Sequence, residues 1–147
     1  MAIRVGQFRD REGLHVLVSR AVERSDRPGE LDGGVLYQTI DTALTLPQYY
    51  LAVSETGGEI KGAVCGFVVP SPFGKFMTAM DLFWYAEDGS GFALFQMYLN
   101  WAQSFKQVKQ VDFMNSFKFD AEDTRMDKTM ARLGFAPTGK HYMKVLP

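Results

Sequence analysis

Residues 80–105 constrain the fold most, because a strand pattern passes there into a helix pattern through a short loop with two glycines. Residues 80–85 are rich in aromatic side chains and precede a turn signal, which predicts a largely buried strand. In the second half, apolar residues recur at spacings of three and four and would share one helix face. These residues are Leu94, Phe95, Tyr98, Trp101, Ala102 and Phe105. The stretch therefore predicts a strand, a tight loop and an amphipathic helix.

The loop, residues 86–91, has the sequence Ala-Glu-Asp-Gly-Ser-Gly and is the first candidate for a ligand site. Glycines allow the backbone to approach a ligand closely, and the unpaired N–H groups in the first turn of a helix attract phosphate. The alternative is an ordinary tight turn, because the loop contains Glu87 and Asp88 and no Lys or Arg. Both acids would suit a helix N-terminus equally well, so the spacing leaves both interpretations open.

Composition and charge narrow the class of protein. A chain of 147 residues is expected to form one domain, residues 1–147, with a core that needs no disulfide or metal. A formal net charge of −1 disfavours binding to nucleic acid or to anionic membranes. The sequence shows neither a leader pattern nor an apolar run of about 20 residues, which predicts a cytoplasmic protein without membrane contact. The single cysteine, Cys65, lies in an apolar run and is expected in the core rather than as a nucleophile.

The other patterns predict an α/β (α+β) protein. Strands are predicted over residues 3–8, 49–55, 59–69, 108–115 and 142–146. One helix is predicted to begin near Asp10, which can cap it, and another at Asp32 or the glycines after it. A last helix is predicted to begin with Asp123 or Thr124 as its cap, and the three are predicted to end near Ser25, Pro47 and Gly134. Short connections between residues 49 and 85 predict three antiparallel strands, whereas the helix before residue 108 predicts a parallel pair. We expect a mixed, mostly antiparallel sheet of about six to seven strands flanked by about four helices.

This order of elements resembles the GNAT superfamily of N-acetyltransferases over essentially the whole chain. The loop 86–91 resembles the family's Arg/Gln-x-x-Gly-x-Gly/Ala motif, with Ala86 in place of the basic or amide residue. Residues 130–135 resemble its Tyr-x-x-x-Gly-Phe motif, with Met130 in place of the frequent general-acid tyrosine. Residues 81–84 and 139–145 also resemble small members of the family, including ones carried by phages.

The resemblance implies acetyl-CoA as co-substrate, with no metal, and assigns residues to it. Its pantetheine arm would lie along the fourth strand at Phe83, Trp84 and Tyr85, and its pyrophosphate on Gly89, Ser90, Gly91, Phe92 and Ala93. Asn115 at the end of the fifth strand would bind the pantetheine amides or the acceptor, unless it forms an ordinary turn.

The same resemblance, together with the chemistry of acyl transfer, suggests candidates for proton transfer. Asp81 is the candidate base, and strand alternation predicts that it shares a sheet face with Phe83 and Tyr85, where aromatic neighbours would raise its pKa. The alternative for Asp81 is an acid at a solvated strand edge. Because Met130 carries no proton, Tyr142 or Tyr85 is the candidate proton donor, and simple packing is the alternative for Tyr142.

The implied function is transfer of an acetyl group to a primary amine of a small molecule or a protein. The acceptor pocket is expected at the first two helices, where Arg27, Glu30 and Asp32 offer charge. The alternative is a GNAT-fold protein without catalysis that binds acyl-CoA or a protein partner, which the substitutions at Ala86 and Met130 favour. A third possibility is an unrelated mixed α/β binding domain. A monomer and a homodimer are both compatible with the sequence.

Overall fold

A computed structural model describes residues 1–25, 30–114, 123–139 and 142–147. Its strands are β1 (Ala2–Val5), β2 (Tyr49–Thr56), β3 (Glu59–Pro70), β4 (Met77–Ala86) and β5 (Val108–Asp112). Its helices are α1 (Arg11–Arg24), α2 (Gly33–Thr45), α3 (Gly91–Gln103) and α4 (Asp123–Arg132), and a 3-10 turn at Phe8–Asp10 precedes α1. The predicted order of elements is confirmed as far as α4.

The strands form one sheet in the order β1-β2-β3-β4-β5. Strands β1 to β4 are antiparallel neighbours, and β5 pairs with β4 in parallel. The β2–β3 hairpin turns at Gly57 and Gly58, whose φ angles of 60° and 79° favour glycine. Helix α3 supplies the crossover that a parallel pair requires. A mixed, mostly antiparallel sheet in an α+β fold is therefore confirmed.

Helices cover both faces of the sheet, and each face has its own apolar cluster. The cluster under α1 and α2 contains Leu14, Leu17, Ile40, Val53, Cys65 and Phe83. The cluster under α3 and α4 contains Val64, Leu94, Phe95, Tyr98, Leu99 and Met130. Cys65 is fully buried, and this burial raises the pKa of its thiol. Because a nucleophile needs an accessible thiolate, the prediction that Cys65 is a core residue is confirmed.

The aspartates that precede α1 and α2 have different hydrogen-bond partners. Helix α2 begins where the sequence predicts, and Asp32 caps it, since its Oδ1 accepts a hydrogen bond of 2.9 Å from the N–H of Val35. Asp10 precedes α1 but makes no capping bond to it. Its carboxylate instead accepts two bonds from Arg4, at 2.7 and 2.9 Å, and one of 2.8 Å from the N–H of Gln7. The prediction of Asp10 as the cap of α1 is wrong, because the guanidinium is the stronger partner.

The sheet has five strands in the part of the chain that is described, not the six to seven that the sequence predicts. The missing strand is the tail, because residues 142–147 have no regular structure. Tyr142 is 84 % exposed and Leu146 is 74 % exposed. A strand is stabilised by ladder hydrogen bonds and by packing of alternate side chains, and the exposed tail has neither. Strands β1 and β5 are also shorter than predicted, ending at Val5 and Asp112.

A β-bulge at Leu82 changes which side chains of β4 share a face. Gly66 of β3 pairs with Asp81, and the residue before Gly66 pairs with Phe83, so Leu82 is the extra residue. Side chains opposite each other on neighbouring strands lie on the same face. A Cβ at Gly66 would overlap the ring of Tyr98 in α3. Asp81 therefore faces α3, and the prediction that simple alternation places it with Phe83 is wrong because the bulge shifts the alternation.

Candidate functional site

Strands β4 and β5 pair along their first residues and then separate. Their last paired residues are Met80 and Asp112. Beyond this pair, residues 81–86 of β4 have no strand partner on the β5 side within the described ranges. We call this gap the β4–β5 opening and the Met80–Asp112 pair its apex. A strand that separates from its neighbour can offer backbone N–H and C=O groups to an extended ligand, as in β-strand addition.

The loop between β4 and α3 lies at the end of the opening away from the apex. Gly89 takes a φ of 79°, a conformation that favours glycine. Helix α3 begins at Gly91, and its first helical hydrogen bond joins the N–H of Leu94 to the carbonyl of Ser90 at 2.9 Å. The N–H groups with no partner inside the helix are those of Gly91, Phe92 and Ala93. Together with the helix dipole, these donors can hold an anion such as a pyrophosphate.

Asp88 attaches this loop to the end of β2. Its Oδ2 accepts hydrogen bonds from the hydroxyls of Ser54 at 2.6 Å and Thr56 at 2.8 Å, and its Oδ1 accepts from the N–H of Ser90 at 3.1 Å. Burial opposes ionisation of Asp88, but these bonds outweigh it and lower the pKa of the carboxyl to about 2. Asp88 thus uses one loop N–H and leaves the first-turn donors of α3 for a ligand.

Glu87, the other acid of the loop, is neutralised by two arginines of α1. Arg20 donates to its carboxylate at 2.7 and 3.2 Å, Arg24 donates at 2.8 Å, and the hydroxyl of Tyr85 donates at 3.1 Å. Burial opposes ionisation of Glu87, yet these partners lower the pKa of its carboxyl. An open depression of about 570 Å³ adjoins this network and is lined by Arg20, Arg24, Thr56, Lys61, Glu87 and Asp88. The loop therefore has cationic neighbours, although its own sequence has no Lys or Arg.

Asp81 lies at the apex and is 5 % exposed, so the alternative of an acid at a solvated edge is wrong. Its Oδ1 accepts a hydrogen bond of 2.8 Å from the N–H of Met114, beyond the end of β5. The carboxylate thus joins the two strands just past their last pair. A buried carboxylate in this position can also accept a proton from an amine that enters the opening. Its role as base stays a prediction.

The three aromatic residues predicted to hold the pantetheine arm face different ways. Phe83 is 4 % exposed in the cluster under α1 and α2, and Tyr85 turns to the same side. Trp84 faces α3, and its Nε1 donates to the carbonyl of Gly91 at 2.8 Å. Its ring meets Phe113 edge to face, with centroids 5.6 Å apart. A ligand in the opening can therefore contact the backbone of Phe83 and Tyr85, whereas it can contact both the backbone and the ring of Trp84.

The remaining predicted residues do not gather at the opening. Tyr142 is 84 % exposed in the irregular tail, and its role as proton donor stays a prediction. Asn115 and Arg27 lie outside the described residues. Met130 is 8 % exposed in the same cluster as Tyr98. Helix α4 ends just before Gly134, which has a φ of 87°, and the N–H of Phe135 donates to the carbonyl of Met130 at 2.9 Å. This is a common C-terminal capping arrangement, so the predicted end of the helix is confirmed.

Tyr98 carries a polar group near the opening, its hydroxyl. The sequence predicts only that Tyr98 lies on the apolar face of α3. Its side chain is fully buried, and its hydroxyl has no hydrogen-bond partner among the residues that the structure describes. Burial raises the pKa of this hydroxyl, and the nearby charges of Asp81, Asp112 and Cys65 raise it further. The one signal in the sequence is a hydroxyl on an otherwise apolar helix face, which does not reveal what it faces.

Comparisons with known proteins connect this geometry to a fold. No protein-family model matches the sequence, and no curated protein matches it. Among solved structures, a ribosomal-protein-alanine N-acetyltransferase from Brucella melitensis biovar Abortus 2308 matches at 15% identity with a TM-score of 0.71, covering 99% of this chain and 98% of its own. An aminoglycoside acetyltransferase from an uncultured soil metagenomic sample, in complex with sisomicin, matches at 14% identity with a TM-score of 0.67, covering 99% and 96%.

A third match is the aminoglycoside N-acetyltransferase AAC(6')-Iy in complex with a bisubstrate analogue, CoA-S-monomethyl-acetylneamine. It shares 14% identity with a TM-score of 0.71 and covers 99% of this chain and 97% of its own. The chain therefore has the fold of one class of proteins, the GNAT acetyltransferases. These matches give no support to a phage-like member of that class.

Within the described ranges, no helix combines the length and apolar character needed to cross a bilayer. No group of three His, Cys, Asp or Glu side chains in the same ranges is placed to hold a metal ion. The predicted absence of a metal stays a prediction.

Proposed function

We propose that this protein transfers an acetyl group from acetyl-CoA to a primary amine of a small molecule or a protein. The observation that carries the proposal is the β4–β5 opening, which ends at the unpaired N–H groups of α3 in a GNAT fold. Two solved structures of the similar protein AAC(6')-Iy contain CoA or a CoA conjugate, which supports the same ligand class here. The fold alone does not establish catalysis, so the argument rests on this site.

In this proposal, the co-substrate binds chiefly through the backbone. Its pyrophosphate is held by the loop and the first turn of α3, at Gly89, Ser90, Gly91, Phe92 and Ala93. Its pantetheine arm follows β4 at Phe83, Trp84 and Tyr85, and Asn115 remains a predicted partner of its amides. Arg20 and Arg24 balance the two carboxylates of the loop, Glu87 and Asp88, and so remove the net negative charge that would repel a pyrophosphate there.

The chemistry requires removal of a proton from the amine and stabilisation of the leaving thiolate. Acetyl-CoA supplies an activated acyl group, and no metal is needed. Asp81 is the proposed base, since it is buried beside the apex and its carboxylate accepts the N–H of Met114 beyond the end of β5. Tyr142 remains the predicted proton donor.

The acceptor is proposed to be a small-molecule or protein amine, and nucleic acid is not expected to bind. The depression lined by Arg20, Arg24 and Lys61 is the described surface nearest to the loop that offers charged groups to an acceptor. Asp32, predicted to line the acceptor pocket, is engaged as the cap of α2. A cytoplasmic location, a single domain, and a monomer or homodimer stay predictions.

A second candidate is a protein of the same fold that binds acyl-CoA or a protein partner without catalysis. Two observations favour it. Trp84 and Phe113 touch across the opening and must separate to admit a pantetheine arm. Met130 is a buried apolar residue where the family often has its acid.

Calorimetric titration with acetyl-CoA tests both candidates. The transferase and the acyl-CoA binder should bind it in the micromolar range, with ADP binding more weakly because it lacks the pantetheine arm. Acetylation of a panel of primary amines, followed by release of CoA, should then occur only with the transferase. Absence of binding at millimolar acetyl-CoA would contradict both the transferase and the acyl-CoA binder. Binding of a protein partner would then be the remaining function.

A further inference from the structure

The buried hydroxyl of Tyr98 is a polar group near the opening to which the proposed chemistry gives no task. It is fully enclosed and without a hydrogen-bond partner in the described ranges. A buried hydroxyl without a partner costs free energy, so native proteins keep few of them. Phe95, one turn earlier on the same face, is equally buried and has no hydroxyl. Packing alone would therefore be satisfied by phenylalanine at position 98.

Three observations place this hydroxyl at the apex. The outer part of the Tyr98 ring occupies the space that a Cβ on Gly66 would take. Gly66 pairs with Asp81, the first residue of β4 beyond the apex. The charges of Asp81 and Asp112 both act on the hydroxyl, and Asp112 is the last paired residue of β5. The hydroxyl therefore lies on the α3 face of the sheet, near the residues at which β4 and β5 separate.

The length of β4 between the loop and the apex indicates which part of a bound acyl-CoA would lie near Tyr98. Ala86, next to the loop, and Asp81, beside the apex, pair with Gly62 and Gly66, so the bulge at Leu82 leaves a span of four residues, or about 13 Å of strand. This is comparable with an extended pantetheine arm whose pyrophosphate end rests on the N-terminus of α3. The other end of that arm is the sulfur. The apex is therefore where the thioester sulfur of a bound acyl-CoA would arrive.

We propose that Tyr98 donates a hydrogen bond to the sulfur of the bound acyl-CoA and stabilises the thiolate as it leaves. The inference rests on the proposed function. In the step, the amine nitrogen forms the C–N bond and gives its proton to Asp81, while the C–S bond breaks and its electron pair goes to sulfur. Tyr98 keeps its proton and shares it in the hydrogen bond, and the thiolate is protonated later by water or by another acid.

The environment of Tyr98 suits a donor that does not ionise. Burial and the two carboxylates at the apex raise the pKa of its hydroxyl, so it stays protonated over the working pH range. A buried hydroxyl held neutral is a fixed dipole, and fixed dipoles aimed at developing charge are an effective form of catalytic stabilisation.

The test compares Tyr98→Phe with the wild type, first without ligand. Removing an unpaired buried hydroxyl should raise the melting temperature by about 2–5 °C. The control is Tyr50→Phe, a partly buried tyrosine on the same face of the sheet that stacks on Trp101. This control should show no such gain and should leave ligand binding unchanged.

The decisive readout is affinity for CoA against desulfo-CoA, which lacks the sulfur. Wild type should bind CoA about three- to tenfold more tightly, the range expected for one hydrogen bond, and Tyr98→Phe should lose this preference. Turnover should fall about 10- to 100-fold in kcat, and KM for acetyl-CoA should rise by no more than about three- to tenfold, because the bond to sulfur is stronger as the thiolate forms. A variant that keeps the sulfur preference, or that melts lower than wild type, would overturn the inference. Failure of wild type to bind CoA at all would instead contradict the proposed function.

Discussion

At the scale of single residues, the two carboxylates near the opening, Asp81 and Asp88, have different tasks. Asp88 is saturated, because both its oxygens accept hydrogen bonds from the loop and the end of β2. Asp81 accepts the N–H of Met114 and lies where the strands separate. A carboxylate saturated by neutral donors is held ionised and fixes the backbone, whereas one at the edge of a gap can also exchange a proton with a ligand. Substitution of each by asparagine distinguishes these tasks.

Asp81→Asn should lower kcat by about 10²- to 10⁴-fold, because the amide cannot accept the proton of the amine. The Kd for acetyl-CoA should change less than threefold, since the asparagine oxygen can still accept the N–H of Met114 and hold the opening. Steady-state kinetics and calorimetry measure the two quantities. Asp112→Asn, at the end of β5, is the matched control. Comparable turnover in both variants would remove Asp81 from the mechanism.

Asp88→Asn should reduce stability in a manner that depends on pH. The carboxyl of Asp88 has a pKa of about 2 in the fold, below its ordinary value of 3.8. A depressed pKa stabilises the fold above the ordinary value, and this contribution is lost as pH falls through the folded value. The free energy of unfolding of the variant should therefore be about 1–2 kcal/mol lower than that of the wild type at pH 7. This difference should shrink between pH 4 and pH 2.

Urea unfolding at a series of pH values measures this difference, and comparison of two proteins cancels the titration of all other groups. Asp127→Asn, on the exposed side of α4, is the control and should unfold as the wild type does. A difference for Asp88→Asn that stays constant from pH 7 to pH 2 would contradict the assignment.

At the scale of elements, the position of α3 on the sheet depends on two glycines of β3. A Cβ at Gly62 would meet the hydroxyl of Ser90 and the side chain of Leu94, and a Cβ at Gly66 would overlap Tyr98. Both glycines therefore let α3 pack closely against the sheet. This close packing places the N-terminus of α3 beside the end of β4, so that loop, helix and strand edge form one continuous site.

Gly91→Glu should abolish acetyl-CoA binding and leave the fold intact. A Cβ at Gly91 would lie 3.6 Å from the ring of Trp84 and 3.7 Å from Ala86, which is ordinary contact. The carboxylate would take up the first-turn N–H groups of α3 and repel the pyrophosphate. The Kd should rise by about a hundredfold or more, as calorimetry would show.

Gly91→Gln is the control, because it has nearly the same size without the charge and should weaken binding far less. Thermal unfolding of both variants should stay close to that of the wild type. Unchanged affinity in Gly91→Glu would contradict the assignment of the pyrophosphate to this loop.

At the scale of the whole molecule, local patterns predict the elements, and contacts between distant residues decide the site. The strand–loop–helix stretch, the β2–β3 hairpin and the parallel β5 follow from periodicity, glycines and connection length. The bulge at Leu82 does not, because it depends on how β3 and β4 pair. For the same reason the sequence does not show that Asp81 faces α3, or that arginines of α1 neutralise Glu87.

The strand predicted for the tail is wrong for the same reason, because it also depends on contacts with distant residues, and this can be tested. Residues 142–146 have the composition of a strand, but a strand forms only where an edge and an apolar surface are available to it. In the structure the tail makes no ladder with the sheet, and its apolar side chains are exposed. The stability of the sheet should therefore not depend on it.

Removal of residues 142–147 should change the free energy of unfolding by no more than about 0.5 kcal/mol, as expected for exposed residues without buried contacts. Urea unfolding measures this, and a loss of several kcal/mol would show that the tail completes the sheet after all. The same truncated protein tests Tyr142. If Tyr142 donates the proton, kcat should fall at least about tenfold while stability is kept, and Tyr142→Phe in the full chain should reproduce that fall. Turnover at the wild-type level in both proteins would exclude the tail from the reaction and leave stabilisation of the thiolate to groups at the apex.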